Sequence, residues 1–208
     1  MKKTPLPVLC LLVLLLSGCA PRYISVHPSG EWGKAPIHKI AIFPVTLGEE
    51  QEKQRLTTGR ISPGGAEIIF DQWVSVLKEK GYDVSRLDQE AEPVTPETVS
   101  SGWVMDTGNR LRVDTLVGVI PVRFEEREGG AAGVRKPASV AFDLRIYRVS
   151  DGVLTWEGRY AETQKTLLED LGSLPLFLRR HGRWLSAEEL VRYGTAELMK
   201  EFPEGTRP

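Results

Sequence analysis

The sequence predicts an α/β fold: a single layered domain, with a mixed sheet, a C-terminal β-meander and helices packed on it. Three observations carry this. A strand, a helix and a strand follow one another from Lys39 to Leu87. Apolar residues alternate from Ala138 to Val149, and a hairpin signal, Asp151-Gly152, leads into a returning strand. A capped amphipathic helix begins after Ser186.

The elements follow in chain order. KIAIFPV (Lys39 to Val45) is a short β-rich apolar run and reads as a buried strand. Thr46 to Ile61 has no apolar period and reads as a long exposed loop. Ser62-Pro63 reads as an N-cap with proline at the first helical position. Ala66, Ile69, Phe70, Trp73 and Leu77 then form one helical stripe ending near Gly81, with Lys78 and Lys80 suited to its negative end. YDVSRL (Tyr82 to Leu87) is a second strand. Asp88 to Pro96 is an acidic loop, and Thr95-Pro96 is a further cap signal. The helical stretch from Glu97 to Arg112 is expected in two pieces, broken at Gly102 and Gly108.

Three strands are expected next. The first is DTLVGVIPVRFEE, Asp114 to Glu126. Gly129 to Pro137 (GGAAGVRKP) reads as a flexible, weakly basic loop. The second strand alternates: Val140, Phe142, Leu144 and Ile146 share one face, and Ala141, Asp143, Arg145 and Tyr147 the other. That is the pattern of a half-buried antiparallel strand. The third, VLTWEGRYAE, runs from Val153 to Glu162. In the last helix Ser186 and Glu189 match a capping box, and Ala187, Leu190, Val191, Gly194 and Leu198 make the packing face.

The chain has 208 residues, of which 41% are hydrophobic and 26% charged, a globular balance. Its formal charge is −1, and without Lys2 and Lys3 it is −1 − 2 = −3. A mildly acidic chain argues against a nucleic-acid partner. There are two cysteines, Cys10 and Cys19. With Cys10 inside the leading apolar run, the globular part has no internal disulfide and no thiolate metal site.

Lys2 and Lys3 precede an apolar run from Leu6 to Leu16, the layout of a secretory signal peptide. The run is shorter than the roughly 20 residues a spanning helix needs. Leu16-Ser17-Gly18-Cys19 resembles the bacterial lipobox. That resemblance implies cleavage before Cys19, diacylglycerol on its thiol and a further acyl chain, such as palmitate, on its amine. Two or three acyl chains anchor stably where one does not. Ala20 resembles an outer-membrane address under the enteric sorting rule. The implied organisation is residues 1–18 signal peptide, 19–37 lipidated N-terminus and flexible tether, 38–203 periplasmic domain, and 204–208 tail. The tether, from Pro21 to Pro36, reaches at most roughly 55 Å when extended. The alternative is that Tyr23, Ile24 and Trp32 pack back on the domain.

KIAIFPV, a helix, VDTLVGVI, and AFDLRIYRVSDGVLTWEG together resemble a shared periplasmic α/β domain. It occurs in the curli-secretion lipoprotein, in lipoprotein activators of penicillin-binding proteins, and in the N-terminal domain of the Tol-Pal propeller protein. The resemblance spans Lys39 to Gly158. It implies a non-enzymatic module that holds or opens other envelope proteins. The curli channel uses extra membrane-crossing hairpins, for which this chain has no spare strands.

Motifs for catalysis are missing from the sequence. Neither a Gly-rich phosphate loop nor a G-x-S-x-G elbow occurs, and His27, His38 and His181 lack metal spacing. No catalytic residue, metal or cofactor is therefore expected. Glu125-Glu126 and Glu169-Asp170 read as solvated charge. The candidate partner surface is the apolar and basic stretch holding Leu174, Leu176, Phe177, Arg179, Arg180, His181, Arg183 and Trp184. It suits anionic lipid headgroups, wall carboxylates or an acidic protein patch. Burial of Leu174 to Leu178 and of Trp184 is the competing reading. The expected partners are the membrane, through Cys19, and an envelope protein, with self-association as the alternative.

Overall fold

The computed structural model describes residues 22–30, 32–47, 59–87, 93–130, 133–165, 178, 180 and 182–202. In chain order the elements are β1 (Arg22–Pro28), β2 (Lys39–Pro44), α1 (Gly65–Glu79), β3 (Asp83–Arg86), α2 (Ser101–Leu111), β4 (Thr115–Glu125), β5 (Glu128–Gly129), β6 (Val134–Lys136), β7 (Ser139–Arg148), β8 (Val153–Thr163) and α3 (Ala187–Leu198). A short 3-10 turn, Met199–Glu201, follows α3. Six strands form one open sheet in the order β1-β8-β7-β4-β2-β3, and β5 pairs with β6 in a small separate hairpin. β2 runs parallel to β3 and β4, and the remaining neighbours are antiparallel, so the sheet is mixed. The α/β layered domain with its β4-β7-β8 meander stands as the sequence predicts.

The alternation of β7 decides how the sheet is covered. Val140, Phe142, Leu144 and Ile146 turn to the face that carries α1 and α3. There they meet Ile69, Trp73 and Leu77 of α1 and Leu190, Val191 and Leu198 of α3. Aromatic rings fill the centre: Trp73 meets Phe142 edge-on at 6.0 Å, and Phe142 lies 5.4 Å from Tyr160. The other face holds a smaller cluster, in which Ala41, Phe43, Leu116, Ile120 and Tyr147 pack with Val104 of α2.

Several local expectations change. The stretch expected as tether contains β1, paired along its whole length with β8 from Arg22↔Glu162 to Pro28↔Trp156. Ile24 and Val26 are two apart, face the core and are partly buried there, whereas Tyr23 points out. A short edge strand needs only this much pattern, because one face and one edge stay outside. Trp32 packs on Trp156 at 5.8 Å and Phe202 at 5.7 Å, and its indole N–H donates to the Glu201 carbonyl at 3.1 Å.

α1 starts at Gly65 behind a left-handed Gly64, with no side-chain cap, rather than at Pro63 behind Ser62. The Ser62 N–H is engaged by the Phe124 carbonyl at 2.8 Å. That ties the preceding residues to β4 and delays the helix. α2 is one helix, not two pieces, and its N-cap is Ser100, whose hydroxyl accepts from the Trp103 N–H at 3.2 Å. Gly108 sits inside it because a Cβ there would come within 2.2 Å of Val149. Close approach of helix to sheet outweighs its low helix propensity. The stretch expected as a loop from Gly129 to Pro137 contributes to the β5-β6 hairpin. Most of the loop expected from Thr46 to Ile61 lies outside the described residues.

The turn after β7 behaves as expected. Gly152 takes φ +68°, and a Cβ there would strike Ser101. Asp151 accepts from the Val153 N–H and from Arg148. Pro121 sits inside β4 where the pairing with β7 shifts register, between Pro121 and Arg123. A bulge is where a strand accommodates a residue with no N–H.

Candidate partner-binding site

The strand register defines two ends of the sheet. Arg22 lies opposite Glu162, Ser139 opposite both Thr163 and Glu125, so β1 and β7 begin where β8 and β4 finish. Arg180 and Trp184 return to this end, at Glu162 and Lys165. At the other end lie Pro28, Thr115, Arg148 and Val153.

Of the candidate surface, Leu174, Leu176, Phe177, Arg179 and His181 lie outside the described residues, as do Cys19 and the pair Glu169-Asp170. Arg180, Arg183 and Trp184 are described and separate into two groups. Arg180 and Trp184 turn inward. Arg183 stays out, with Leu178 near it in sequence and 63% exposed.

Arg180 enters a buried polar network. Its guanidinium grips the Glu162 carboxylate with both nitrogens, at 2.6 and 3.0 Å, while the Tyr160 hydroxyl donates to the same carboxylate at 2.7 Å. The side chains of Glu162 and Arg180 are 1% and 10% exposed. Burial works against the Arg180 charge, but the Glu162 carboxylate outweighs it and raises the arginine's pKa. Burial and the neighbouring Glu162 charge push the Tyr160 hydroxyl far up, so it stays protonated and donates to that carboxylate. Arg180 also lies over the Tyr193 ring at 5.0 Å. Arg22 lies over the same ring at 4.7 Å, donates to its hydroxyl at 2.8 Å and pairs with Glu197 at 3.0 Å. The network therefore joins β1, β8, α3 and the returning segment.

Trp184 and its neighbours are stitched down as well. The Gln164 amide donates to the Leu185 carbonyl at 2.9 Å and accepts from the Leu185 N–H at 3.0 Å. The Trp184 indole donates to the Lys165 carbonyl at 3.3 Å, and Arg127 donates to the Trp184 carbonyl. Ser186 then caps α3: its hydroxyl accepts from the Glu189 N–H at 3.1 Å, and Glu189 accepts from the Ser186 N–H at 2.8 Å. Burial opposes the Glu189 charge, but that backbone donor and Arg183, at 2.7 Å, hold its pKa below the usual carboxylate range.

Of Glu125 and Glu126, expected as solvated charge, Glu126 is exposed and Glu125 partly buried, and both also hold elements together. Glu126 accepts from the first N–H of α3, that of Ala187, at 3.1 Å, where a carboxylate favours the positive helix end. Glu125 accepts from the Arg60 N–H at 3.0 Å and pairs with Lys136 at 2.6 Å. Burial opposes its charge, but Lys136 and the Arg60 N–H lower its pKa.

The pairing of Glu162 was missed from sequence, although a signal exists. The alternation of β8 puts Glu162 on the same face as Trp156 and Tyr160. A carboxylate in an apolar-face position implies a buried cationic partner. The partner's identity is not local, because Arg180 lies eighteen residues on.

A cleft of about 330 Å³ lies at the opposite end, lined by Trp32, Ile37, Asp114, Ile146 and Arg148 among others. Asp114 is engaged structurally there, accepting from the His38 and Lys39 N–H groups at 3.1 and 3.0 Å and from the Thr115 hydroxyl at 2.8 Å. Among the described residues no three metal-ligating side chains converge. No described helix is long and apolar enough to cross a membrane.

No family model matches the chain, and no curated protein matches it by sequence. Solved structures do match by fold. The chain is similar to PelC, a dodecamer from Paraburkholderia phytofirmans, with a TM-score of 0.53 and 11% identity over 89% of this chain and 99% of that one. Weaker likenesses are the lipoprotein GNA1162 from Neisseria meningitidis (TM-score 0.36, 11% identity, 69% of this chain and 99% of that) and the LpoB C-terminal domain from Salmonella enterica (TM-score 0.37, 8% identity, 64% and 89%). At such identities the PelC likeness establishes a shared fold alone, over nearly the whole of both chains.

Proposed function

We propose that this chain is a lipid-anchored envelope lipoprotein, held at the outer membrane and facing the periplasm. Its α/β domain acts as a non-enzymatic accessory module of a cell-envelope machine, in wall synthesis or export. One observation carries the reading: the stretch Leu16 to Cys19, which resembles a lipobox, stands just ahead of a domain whose first strand begins at Arg22. The ionisable clusters of the described residues are engaged in holding elements together, as Glu162 with Arg180 and Asp114 with the start of β2 illustrate.

The test has two parts. Metabolic labelling with a radioactive fatty acid should mark the wild-type chain and not Cys19→Ala. In-cell crosslinking followed by mass spectrometry should then recover an envelope protein. Label on Cys19→Ala rejects the anchor, and a recovered chain with measurable turnover of a wall or lipid substrate rejects the non-enzymatic role.

A second reading is an oligomeric structural or secretion-channel component of the outer membrane. It is favoured by the near full-length fold likeness to PelC, whose structure is a dodecamer. Native mass spectrometry in detergent decides between them: a ring of many copies supports the second reading, and a monomer the first.

A further inference from the structure

We infer that the Arg22 end of the sheet lies against the anionic headgroups of the bilayer that holds the Cys19 acyl chains. The inference rests on the lipoprotein reading and deepens it by naming the surface of the domain that meets the membrane.

The first argument is reach. β1 starts at Arg22, so only Ala20 and Pro21 separate the acylated cysteine from the sheet, a span of at most ~11 Å. β8 has 11 residues and is therefore roughly 36 Å long, which keeps its Val153 end far from the anchor when the sheet stands upright. A long tether would leave the domain free to present any face. This short one holds the Arg22 end next to the headgroups.

The second argument is charge. At this end three ion pairs are arranged with the cation outermost. Arg135, Lys136 and Arg183 are 85%, 50% and 47% exposed, whereas their partners Glu128, Glu125 and Glu189 are 49%, 18% and 22% exposed. The carboxylates are drawn inward by backbone donors, Arg60 N–H to Glu125 and Ser186 N–H to Glu189. In each of these pairs the cation is therefore the more exposed partner, on a chain whose formal charge is −1. Each Lys or Arg near an anionic leaflet favours the contact by about five-fold. Leu178, 63% exposed between Phe177 and the arginines, adds an apolar side chain suited to the interface.

The experiment uses the full lipidated protein in vesicles of phosphatidylcholine with phosphatidylglycerol, doped with a nitroxide lipid. The mature chain has no cysteine besides Cys19, so a fluorophore can be placed singly by Gly133→Cys at the Arg22 end or Gly30→Cys at the other. A Cβ meets nothing at either position. Quenching at 133 should exceed that at 30 by about two-fold or more. The excess should shrink in pure phosphatidylcholine, in about 0.5 M salt, and in the Arg135→Glu, Lys136→Glu, Arg183→Glu variant, while every form still floats with the vesicles. Equal quenching at both positions, or greater quenching at 30, on floating protein overturns the orientation and leaves the lipoprotein reading intact. Wild-type protein that carries no acyl group and does not float overturns both.

Discussion

On one face of the sheet α1 and α3 enclose Trp73, Phe142, Trp156 and Tyr160, each excluded from solvent. On the other face α2 covers the β2-β4 side, where Phe43 meets Trp103 at 5.1 Å, and β7 and β8 carry ion pairs instead. Asp143 accepts two bonds from Arg159, at 2.7 and 2.5 Å, and Glu157 accepts from Arg145 at 3.0 Å. The two faces belong to the same strands, in alternate positions. The first is held by excluded apolar area and tight ring packing, the second by pairs that water still reaches. Damage to the first face should be costly, and damage to the second should be mild.

The largest effect tests the enclosed face directly. Trp73→Ala removes the largest fully buried side chain of α1 and should cost about 3–5 kcal/mol in urea unfolding. A loss below 1 kcal/mol would mean that the helix layer is not the main source of stability. Glu162→Ala is next, because it leaves the Arg180 guanidinium at the margin of that face without its carboxylate. It should cost about 3 kcal/mol, and the Glu162→Ala, Arg180→Met double variant should recover a large part of the loss.

Glu189→Gln sharpens the comparison through pH. The folded pKa of Glu189 is depressed, so its contribution is complete above the ordinary carboxylate value of about 4.3 and is lost as pH falls through the folded value. At pH 7 the variant should be less stable by about 1 kcal/mol. Thermal unfolding followed toward pH 3 should show the two proteins converging. Arg145→Ala, on the second face, should be the smallest. Water reaches both partners of its pair, Arg145 at 28% and Glu157 at 32% exposure, so its loss should cost about 1 kcal/mol or less. A cost as large as that of Trp73→Ala would abolish the distinction between the faces.

Much of this architecture was legible locally. The stripe Ile69, Trp73, Leu77, the alternation of β7, the Asp151-Gly152 turn and the Ser186-Glu189 box all stand where their spacing put them. These signals are short-range: helical period, pleat period, turn chemistry and capping each act within a few residues. β1 was not legible in the same way. Its two aliphatic residues, Ile24 and Val26, sit among prolines and polar residues, and what makes them a strand is the free edge of β8 more than a hundred residues later. The start of α1 moved for a similar reason, since Phe124 takes the N–H of Ser62.

The candidate surface divides along the same line. Composition marked the basic cluster from Arg179 to Arg183, but composition cannot tell which arginine turns inward. Arg180 does so because Glu162 occupies an apolar-face position and needs a cation, and Arg183 stays outside beside Glu189.

The sequence alone determined the identity of the helices and the meander and the cysteine-free body, because each is written in contiguous residues. Only the tertiary structure decided that Arg22 begins a strand rather than a tether, that Glu162 and Arg180 pair, and which charges point outward. Those outcomes depend on contacts between distant segments, whose free energy no local pattern contains.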